Sequence, residues 1–479
     1  MFCLVTYILT QLISYEFILC CTCYDKLSMK KVKKSYPTAF WVCSASEIFE
    51  RLAYYLGRSL ILIFITTAVL EGGLGLSDKI GANMQANLTA FSYLGAVFGG
   101  FVVDRYIGAK YTTPVGMVIT GIGYYIGSIA TGAQHIYLMI FAVSIGLGLF
   151  KNGPLIGRVI TDKTQMDSAF SIRYTLVNIG ALIGTFAVGI LYKDVFAKNG
   201  VYGFAPCFKL AALSMLLGAI WYVFVCWKHL GDIGTRPFKL EKTAEEIEME
   251  KRANIEDQVK RPLTSIEKKR IGAIILASAF SIIFWIFWYL AYLPVYYYWA
   301  ENMNWVVAGY TVPATWFDSA NSLFCIILGP MMAMLWNYLA ARPGGDMSLF
   351  RKTGIGIGII GIGYIFYALI DIFRGNAKAS VLLLIIFALL LTLGEMFFSP
   401  LGHSFISKYS PSKYLGIMMS MWGISIFFAA KLYGYAYGFL FGGSLKFTHA
   451  CFIVAAIAFV SAATLFLLDK RLSALVEED

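Results

Sequence analysis

The stretch SEIFERLAYYLGRSL, residues 46–60, places four charged side chains inside an apolar segment that is long enough to cross a bilayer. Its polar positions recur at helical spacing: Glu47, Glu50, Arg51, Tyr54, Tyr55 and Arg58. On an α-helix these positions share one face, about 16 Å long. A charge in the centre of a bilayer costs at least about 2.5–3.5 kcal/mol. This face is therefore expected to point to a water-filled cavity or to partner side chains.

The rest of the chain has the composition of an integral membrane protein. Of its 479 residues, 59% are hydrophobic and 14% are charged. Apolar runs of about 20 residues recur along the whole length, which is what a helix needs to span the hydrocarbon core. The runs are continuous and do not alternate, so they predict helices and not the strands of a barrel.

These runs predict twelve membrane-spanning helices. They lie at about 40–70, 84–104, 111–131, 136–157, 168–192, 205–228, 270–300, 310–340, 353–373, 379–407, 414–440 and 447–469. The predicted parts of the chain are an N-terminal segment (1–39), a six-helix bundle (40–228), a charged linker (229–269), a second six-helix bundle (270–469) and a tail (470–479).

Two regions outside the bundles carry their own predictions. The apolar run at residues 2–23 is an extra helix, a signal sequence without a basic start, or sequence upstream of a true start at Met29. The linker is rich in both signs of charge, which favours a solvated connector that is helical in part through EKTAEEIEMEKR.

Six spans on each side of the linker favour an all-α membrane protein with the major facilitator fold, in which two six-helix bundles are related by an axis along the membrane normal. The net charge of +11 is concentrated in alternate loops. By the positive-inside rule, this places the linker and the C-terminus in the cytoplasm of a multi-pass cell-membrane protein. The bilayer is thus a partner, and nucleic acid is not. Glycines such as Gly95 and Gly99 predict close helix contacts.

The charged face of the first span has two interpretations. In the structural one, Glu47 pairs with Arg51 at i,i+4 and merely ties helices together. In the functional one, ionised Glu50 holds Arg51, and a proton on Glu50 frees the guanidinium to bind a substrate carboxylate. The functional interpretation predicts a proton-coupled site.

Two more charges lie in apolar runs far from the first span. Lys151 follows YLMIFAVSIGLGLF, and it either needs an anion or extends to the cytoplasmic edge. Glu395 lies within LLLIIFALLLTLGEMFFSPLG, and it needs a cation, a proton or a structural ion pair. A cationic first half that faces an anionic second half predicts a polarised cavity suited to a zwitterion.

Two other polar features are assigned structural roles. The segment RYIGAK at 105–110, with Asp104 before it, is predicted to be a hinge clamp between the second and third helices and not a substrate site. His403 lies within the tenth span without another histidine nearby in the sequence, and it is predicted to be a packing residue.

The segment EIFERLAYYLGR resembles the E-x-x-E-R-F-x-Y-Y-G-x-R stretch in the first helix of proton-dependent oligopeptide transporters, a branch of the major facilitator superfamily. Further segments that resemble the family follow in the same order: GGFVVDRYIGAK, GLGLFKNG, YTLVNIGALIG, VPATWFDSANSLFCIILGPMMAMLW, GEMFFSPLGHSFISK and LGIMMSMW. The resemblance covers residues 40–469.

The resemblance implies a role for individual residues. The residues implied in proton coupling are Glu47, Glu50, Arg51, Lys151 and Glu395. The residues implied in substrate binding are Arg51, Tyr55, Arg58, Lys151, Asn178, Asn321, Glu395, Ser399 and Trp422. The chain departs from the family at Leu52 and Leu56 in the first span, at Arg173 where an aromatic residue is usual, and at Tyr289 where many relatives have glutamate.

The expected function is proton-coupled import of di- and tripeptides by alternating access, with small peptides and protons as partners and the monomer as the working unit. One alternative is transport of another small solute by the same fold: an amino-acid conjugate, an anion or a drug. Another is a sensor that does not transport. No nucleophile–base pair or metal-ligand cluster stands out, so the sequence does not predict an enzyme, a metal site or a cofactor, and a proton gradient is the expected driving force.

Overall fold

The computed structural model describes residues 36–240, 262–296, 298–312, 316–441 and 445–476. The described residues are almost entirely helical, and all twelve predicted spans are helices. The predictions for residues 1–35, and for the helix within 241–261, lie outside the described residues.

The N-terminal half forms six spans from seven helices. They are α1 (Thr38–Thr66), α2 (Asp78–Arg105), α3 (Ala109–Ser128), α4 (Ala133–Leu149), α5 (Asn152–Val159), α6 (Met166–Ile190) and α7 (Phe204–Trp221), with a short α8 (Trp227–Leu230) before the linker. Helices α4 and α5 together form the fourth span, which is interrupted at Phe150 and Lys151. Single π-helical turns extend α6 and α7 at Leu191–Val195 and Tyr222–Cys226.

The C-terminal half repeats this plan. Its helices are α9 (Ser265–Tyr296), α10 (Tyr298–Asn302), α11 (Trp316–Ala340), α12 (Leu349–Arg374), α13 (Leu382–Met396), α14 (Ser399–Tyr409), α15 (Leu415–Phe441) and α16 (Phe447–Ser473). Helices α13 and α14 form the tenth span, which is interrupted at Phe397 and Phe398. Helix α9 begins at Ser265, five residues before the predicted start of the seventh span at 270.

Short strands occur only outside the helices of the described chain. Strand β1 (Met303–Asn304) pairs in parallel with β4 (Ala379–Ser380), and β2 (Val306–Val307) pairs in antiparallel with β3 (Tyr310–Thr311). The predicted eighth span at 310–340 therefore begins too early, because Tyr310 and Thr311 belong to a strand and α11 starts at Trp316.

Nine of the described spans are long and apolar enough to cross a membrane by length and composition. The first three spans are not among them, and α1 carries the four charges of the opening stretch. The nine spans are consistent with a multi-pass membrane protein, and the charged face of α1 explains why composition alone misses that helix.

Within each half the helices approach closely where glycine removes the side chain. A Cβ on Gly99 of α2 would collide with the Gly148 carbonyl of α4. A Cβ on Gly356 of α12 would lie 2.6 Å from the Gly394 carbonyl oxygen of α13. The glycine-rich 354–363 segment also packs on α16. The close helix contacts predicted for glycines such as Gly99 are confirmed.

The most extensive contacts between the halves are those of α2 with α15 and of α6 with α11, and α14 also packs on α6. The end of the bundle at which residues 231–264 connect the halves is called the linker end below. The starts of α6 and α15 and the ends of α2 and α5 all lie there. This arrangement puts the polar face of α1 and the interrupted tenth span on the inner sides of their halves.

Candidate functional site

The polar face of α1 points into the protein. Glu47 and Glu50 are 2% and 1% exposed, and Tyr54 is also buried, whereas Arg51, Tyr55 and Arg58 are partly exposed. The helical spacing in the sequence therefore predicted the direction of this face correctly. The carboxylates lie deepest, and the two guanidinium groups lie nearer to open space.

Glu50 and Arg51 form a bidentate ion pair. Arg51 donates from Nε to Oε2 of Glu50 and from Nη2 to Oε1, both at 2.5 Å. The Arg51 guanidinium also lies 4.9 Å from the centroid of the Tyr54 ring. Bidentate pairs between arginine and carboxylate are strong because both are charged and their geometries match. Protonation of Glu50 would weaken this pair and release the guanidinium.

Glu47 does not pair with Arg51, so the predicted i,i+4 ion pair is wrong. Its Oε1 accepts hydrogen bonds from Nε and Nη2 of Arg173 and from Nδ2 of Asn152, each at 2.8 Å. Arg173 lies on α6 and Asn152 begins α5. Sequence reasoning noted Arg173 only as a departure from the family pattern and missed it as a partner. An arginine inside an apolar span was the signal.

Lys151 lies in the break between α4 and α5. The side chain is 5% exposed, so it does not extend to the aqueous edge. It donates a hydrogen bond to the Ala96 carbonyl of α2 and another, at 3.2 Å, to Oγ of Ser420 on α15. The expected anion is not among these partners. Lys151 instead connects its own half to the C-terminal half through uncharged acceptors.

Glu395 is buried near the end of α13, beside the interruption of the tenth span. It accepts hydrogen bonds from Nε1 of Trp288 at 3.0 Å, from Nδ2 of Asn321 at 2.8 Å and from the Tyr174 hydroxyl. All three donors are neutral, so the structural ion pair considered for Glu395 does not form here. A buried carboxylate held by neutral donors is suited to accept a proton or the cationic group of a ligand.

Arg58 has no carboxylate partner among the described residues. Its Nε is buried and makes no hydrogen bond. The groups in electrostatic range are phenols, those of Tyr54, Tyr55, Tyr93 and Tyr289. A guanidinium among aromatic rings that has no carboxylate partner in the described part of the chain is suited to bind an anion, because arginine carries five donors.

Tyr55 relates the charges of the two halves to each other. Its hydroxyl is within electrostatic range of Arg51, Arg58 and Glu395. Opposite charges of the two halves, those of Arg58 and Glu395, thus both lie within electrostatic range of one hydroxyl. The polarised cavity expected from the sequence stays a prediction.

Aromatic rings of the C-terminal half line the same region. Trp288 lies 4.5 Å from Tyr292, and Tyr289 stacks on Tyr433 at 5.2 Å, centroid to centroid. The hydrogen bond from Trp288 to Glu395 shows that at least this ring faces inward.

The remaining candidate residues for substrate binding are buried near the residues described above. Asn178 is buried and donates to the Tyr174 carbonyl at 3.0 Å. Ser399 is buried at the first position of α14. Trp422 is buried with its ring centroid 4.9 Å from that of Phe398. Asn321 is the one of these lesser positions that contacts a charged site residue.

His403 stacks on Phe170 of α6 with a centroid separation of 6.3 Å. A packing role across the two halves agrees with its prediction. No group of three His, Cys, Asp or Glu side chains that could hold a metal ion occurs within the described part of the chain.

The linker end is closed by polar contacts between the halves. Asp104 accepts hydrogen bonds from the backbone N–H groups of Gly416 at 2.7 Å and Ile417 at 2.9 Å, at the start of α15. Asp104 therefore connects the second helix to the other half, and the hinge clamp predicted for RYIGAK stays a prediction. A carboxylate at a helix start is favoured because it satisfies free N–H groups and complements the helix dipole.

A second cluster at the linker end centres on Asp167 at the start of α6. Its carboxylate binds Lys352 at 2.5 Å and also binds Lys408, both in the C-terminal half. Lys352 binds Asp346 of the preceding loop at 2.5 Å as well. Burial raises the pKa of the Asp346 carboxyl, against the opposing effect of the Lys352 ammonium. These charges add an ionic link to the closure made by Asp104.

Comparisons with known proteins give one consistent result. The family model described as PTR2, POT family, matches residues 235–450. An uncharacterized transporter of Bacillus subtilis (strain 168), YclF, is 26% identical and covers 81% of this chain and 85% of its own. A di-/tripeptide transporter of Lactococcus lactis subsp. cremoris is 23% identical, with 82% and 88% covered. The crystal structure of a peptide transporter, POT, in complex with sulfate superposes with a TM-score of 0.67 at 22% identity, covering 94% of this chain and 98% of that one.

Proposed function

We propose that the chain is a member of the POT family, whose model matches residues 235–450, and that it is a proton-coupled symporter that imports di- and tripeptides by alternating access. It is a multi-pass membrane protein and not an enzyme. The proposal places the linker and the C-terminus in the cytoplasm and takes the monomer as the transporting unit. No cofactor is required, since the proton gradient supplies the energy.

The observation that carries the proposal is the pair of opposite, unneutralised charges around Tyr55. Arg58 lacks a carboxylate partner among the described residues, and Glu395 is bound only by neutral donors. A peptide is a zwitterion whose two charged ends are separated by a short backbone. Its carboxylate would bind Arg58 and, once released, Arg51; its ammonium would bind Glu395.

Proton coupling is assigned to Glu47, Glu50, Arg51, Lys151 and Glu395. In this mechanism Arg51 is held by Glu50 until a proton reaches that carboxylate. The freed guanidinium then binds the peptide carboxylate, so that proton and peptide bind together. Lys151 contributes a positive charge in the centre of the bundle and connects the halves through Ser420.

Tyr55, Asn178, Asn321, Ser399 and Trp422 are assigned to the walls of the peptide site. Asn321 orients the Glu395 carboxylate directly. Asn178 donates to the backbone of α6 at Tyr174, whose hydroxyl binds Glu395. These contacts would fix the position of the carboxylate that receives the peptide ammonium.

Alternating access requires two closures that open in turn. The contacts of Asp104 and Asp167 hold the halves together at the linker end, which the proposal identifies with the cytoplasmic side. The conformation described here is then closed toward the cytoplasm and ready to receive peptide from outside. Import would follow when these contacts break.

Uptake of labelled di-alanine into proteoliposomes with an imposed inward proton gradient tests this function. We expect gradient-dependent uptake by the wild type and its loss in Glu50→Gln and in Lys151→Ala. The matched control is Glu71→Gln, because Glu71 is exposed in the loop after α1. Uptake that ignores the gradient would contradict proton coupling. Uptake of other solutes, but not of peptides, would favour the alternative cargo of the same fold, and no transport at all would favour the sensor.

A further inference from the structure

We infer that Arg173 is a positioning residue that holds Glu47 permanently ionised, so that the proton of the N-terminal half goes to Glu50. The inference rests on the proposed function for the identity of the coupling site. It assigns a role to a residue at which this chain departs from its family.

The two carboxylates of α1 are held very differently. Glu47 Oε1 receives three hydrogen bonds of 2.8 Å, two of them from the Arg173 guanidinium and one from Asn152. Glu50 is bound by its chain neighbour Arg51, whose side chain is 28% exposed. A ligand can therefore compete for Arg51. Arg173 is only 15% exposed and is directed at Glu47.

The Arg173 guanidinium lies between an aromatic ring and a glycine. Its Cζ lies 5.5 Å from the centroid of the Phe170 ring, one turn earlier on α6. On the other side, the guanidinium lies against Gly153, where a Cβ would be in ordinary van der Waals contact with Nη2 of Arg173, at 3.4 Å. The interruption at Lys151 brings Asn152 and Gly153 to this place. The ion pair and its supports all lie within the N-terminal half and need not separate when the halves move.

The other charged or titratable groups near these carboxylates do not replace Arg173. Tyr222, after α7, is near Glu47, and Tyr124 of α3 is near Glu50. His403 of α14 faces the Arg173 side. None of the three is a cation that binds Glu47 in the structure. Arg173 is the group that compensates this buried charge.

A fixed negative charge on Glu47 acts on Glu50 one helical turn away. Two nearby carboxylates resist being ionised together, so the one without a permanent cation takes the proton. Arg51 can leave Glu50 for a ligand, whereas Arg173 has no such competitor in its pocket. Protonation of Glu50 then frees Arg51 while Glu47 stays charged.

Thermal unfolding of the purified protein between pH 5 and pH 8 tests the pairing without any assumption about the substrate. In Arg173→Phe, the ionised Glu47 is buried without its cation, so the unfolding midpoint should fall as the pH rises, by about 5 °C relative to the wild type at pH 8. Arg173→Lys keeps the charge and should restore most of this loss. The double variant Glu47→Gln/Arg173→Phe should lose the pH dependence that Arg173→Phe acquires. An Arg173→Phe midpoint that follows the wild type across this range would overturn the inference.

The pH profile of di-alanine uptake separates a positioning role from a purely structural one. Without Arg173, Glu47 can be neutral and no longer disfavours charge on Glu50, so half-maximal uptake should move to lower pH. Arg173→Lys should keep the wild-type profile. Reduced uptake with an unchanged profile in Arg173→Phe would leave Arg173 a structural role only and overturn the inference. A wild type that does not transport peptides would instead refute the proposed function, and the unfolding data would still decide the pairing.

Discussion

Tyr174 on α6 donates a hydrogen bond from its hydroxyl to Glu395 on α13, and this bond crosses from one half of the protein to the other. Its neighbour Arg173 binds Glu47 within the N-terminal half. Two consecutive residues of α6 thus connect with the acidic groups of both halves. Movement of α6 relative to the C-terminal half would break the first contact and keep the second.

The first prediction concerns Glu395 as the receptor for the peptide ammonium. Glu395→Gln keeps the shape of the side chain and removes its charge. A hydrogen bond that involves a charged group contributes about 1.5–3 kcal/mol, so the KM for di-alanine should rise by about 10- to 100-fold. The measurement is uptake by the variant over a range of di-alanine concentrations.

N-acetylated di-alanine provides the internal control, because it lacks the ammonium. It should inhibit di-alanine uptake about equally in the wild type and in Glu395→Gln. Glu301→Gln is the matched surface control, since Glu301 is exposed. An equal loss of affinity for the acetylated peptide would show that Glu395 does not recognise the ammonium.

The second prediction concerns Arg58 as a receptor for the peptide carboxylate. Its buried Nε has no hydrogen-bond partner, so a ligand can supply one. Arg58→Gln should raise the KM for di-alanine by about 10-fold or more, because a charge-assisted contact is lost. The KM for di-alanine amide, which has no carboxylate, should change much less.

Arg58→Lys should recover part of the affinity, because lysine keeps the charge but cannot form a bidentate contact. Arg342→Gln serves as the exposed control. Equal losses of affinity for the amide and for the free peptide would show that Arg58 does not bind the carboxylate.

The third prediction concerns the closure at the linker end. Asp104→Ala removes the acceptor for two backbone N–H groups at the start of α15. Each bond to a charged acceptor contributes about 1.5 kcal/mol or more, so the ratio of the closed to the open form should fall by about tenfold or more. Spin labels are placed at the exposed positions Tyr106 and Arg342. Pulsed electron paramagnetic resonance should then show longer distances between the two labels in Asp104→Ala.

Asp232→Ala, in the exposed start of the linker, should leave the distance distribution unchanged. Identical distributions for Asp104→Ala and the wild type would mean that Asp104 does not hold the two halves together.

The fourth prediction concerns the packing that supports the tenth span. A Cβ at Gly402 would collide with the indole of Trp422. Overpacking of this kind typically costs about 1–3 kcal/mol, so Gly402→Ala should lower the thermal unfolding midpoint by a few degrees. Gly272→Ala is the matched control on α9, where a Cβ meets nothing within 4 Å, and it should be neutral or slightly stabilising. A midpoint for Gly402→Ala at or above that of Gly272→Ala would refute this packing account.

The sequence predicts the helices and the inward face of α1 because both depend on local spacing. The 3.6-residue period fixes which side Glu47 and Glu50 share, and the length of apolar runs fixes the spans. Boundaries failed where short strands or helix starts adjoin the spans, as at Tyr310 and Ser265. The apolar runs give no signal for such ends.

The partners of the charged residues could not be predicted in the same way. Glu47 meets Arg173 across a separation of 126 residues, and Asn152 reaches it only because the fourth span breaks at Lys151. Lys151 and Asp104 bind backbone groups or a hydroxyl. Such donors and acceptors occur throughout a chain, so the sequence does not single out the partner. Charge patterns therefore identified the buried polar residues but assigned some of them the wrong partners.

The most direct test of the central claim is the internal pH of proteoliposomes when di-alanine is added outside without an imposed proton gradient. If proton and peptide bind together at Glu50 and the facing charges, inward peptide flow must carry protons, and the lumen of wild-type vesicles should become acidic. Glu50→Gln vesicles should show no acidification. Entry of labelled di-alanine into wild-type vesicles at constant internal pH would contradict the account.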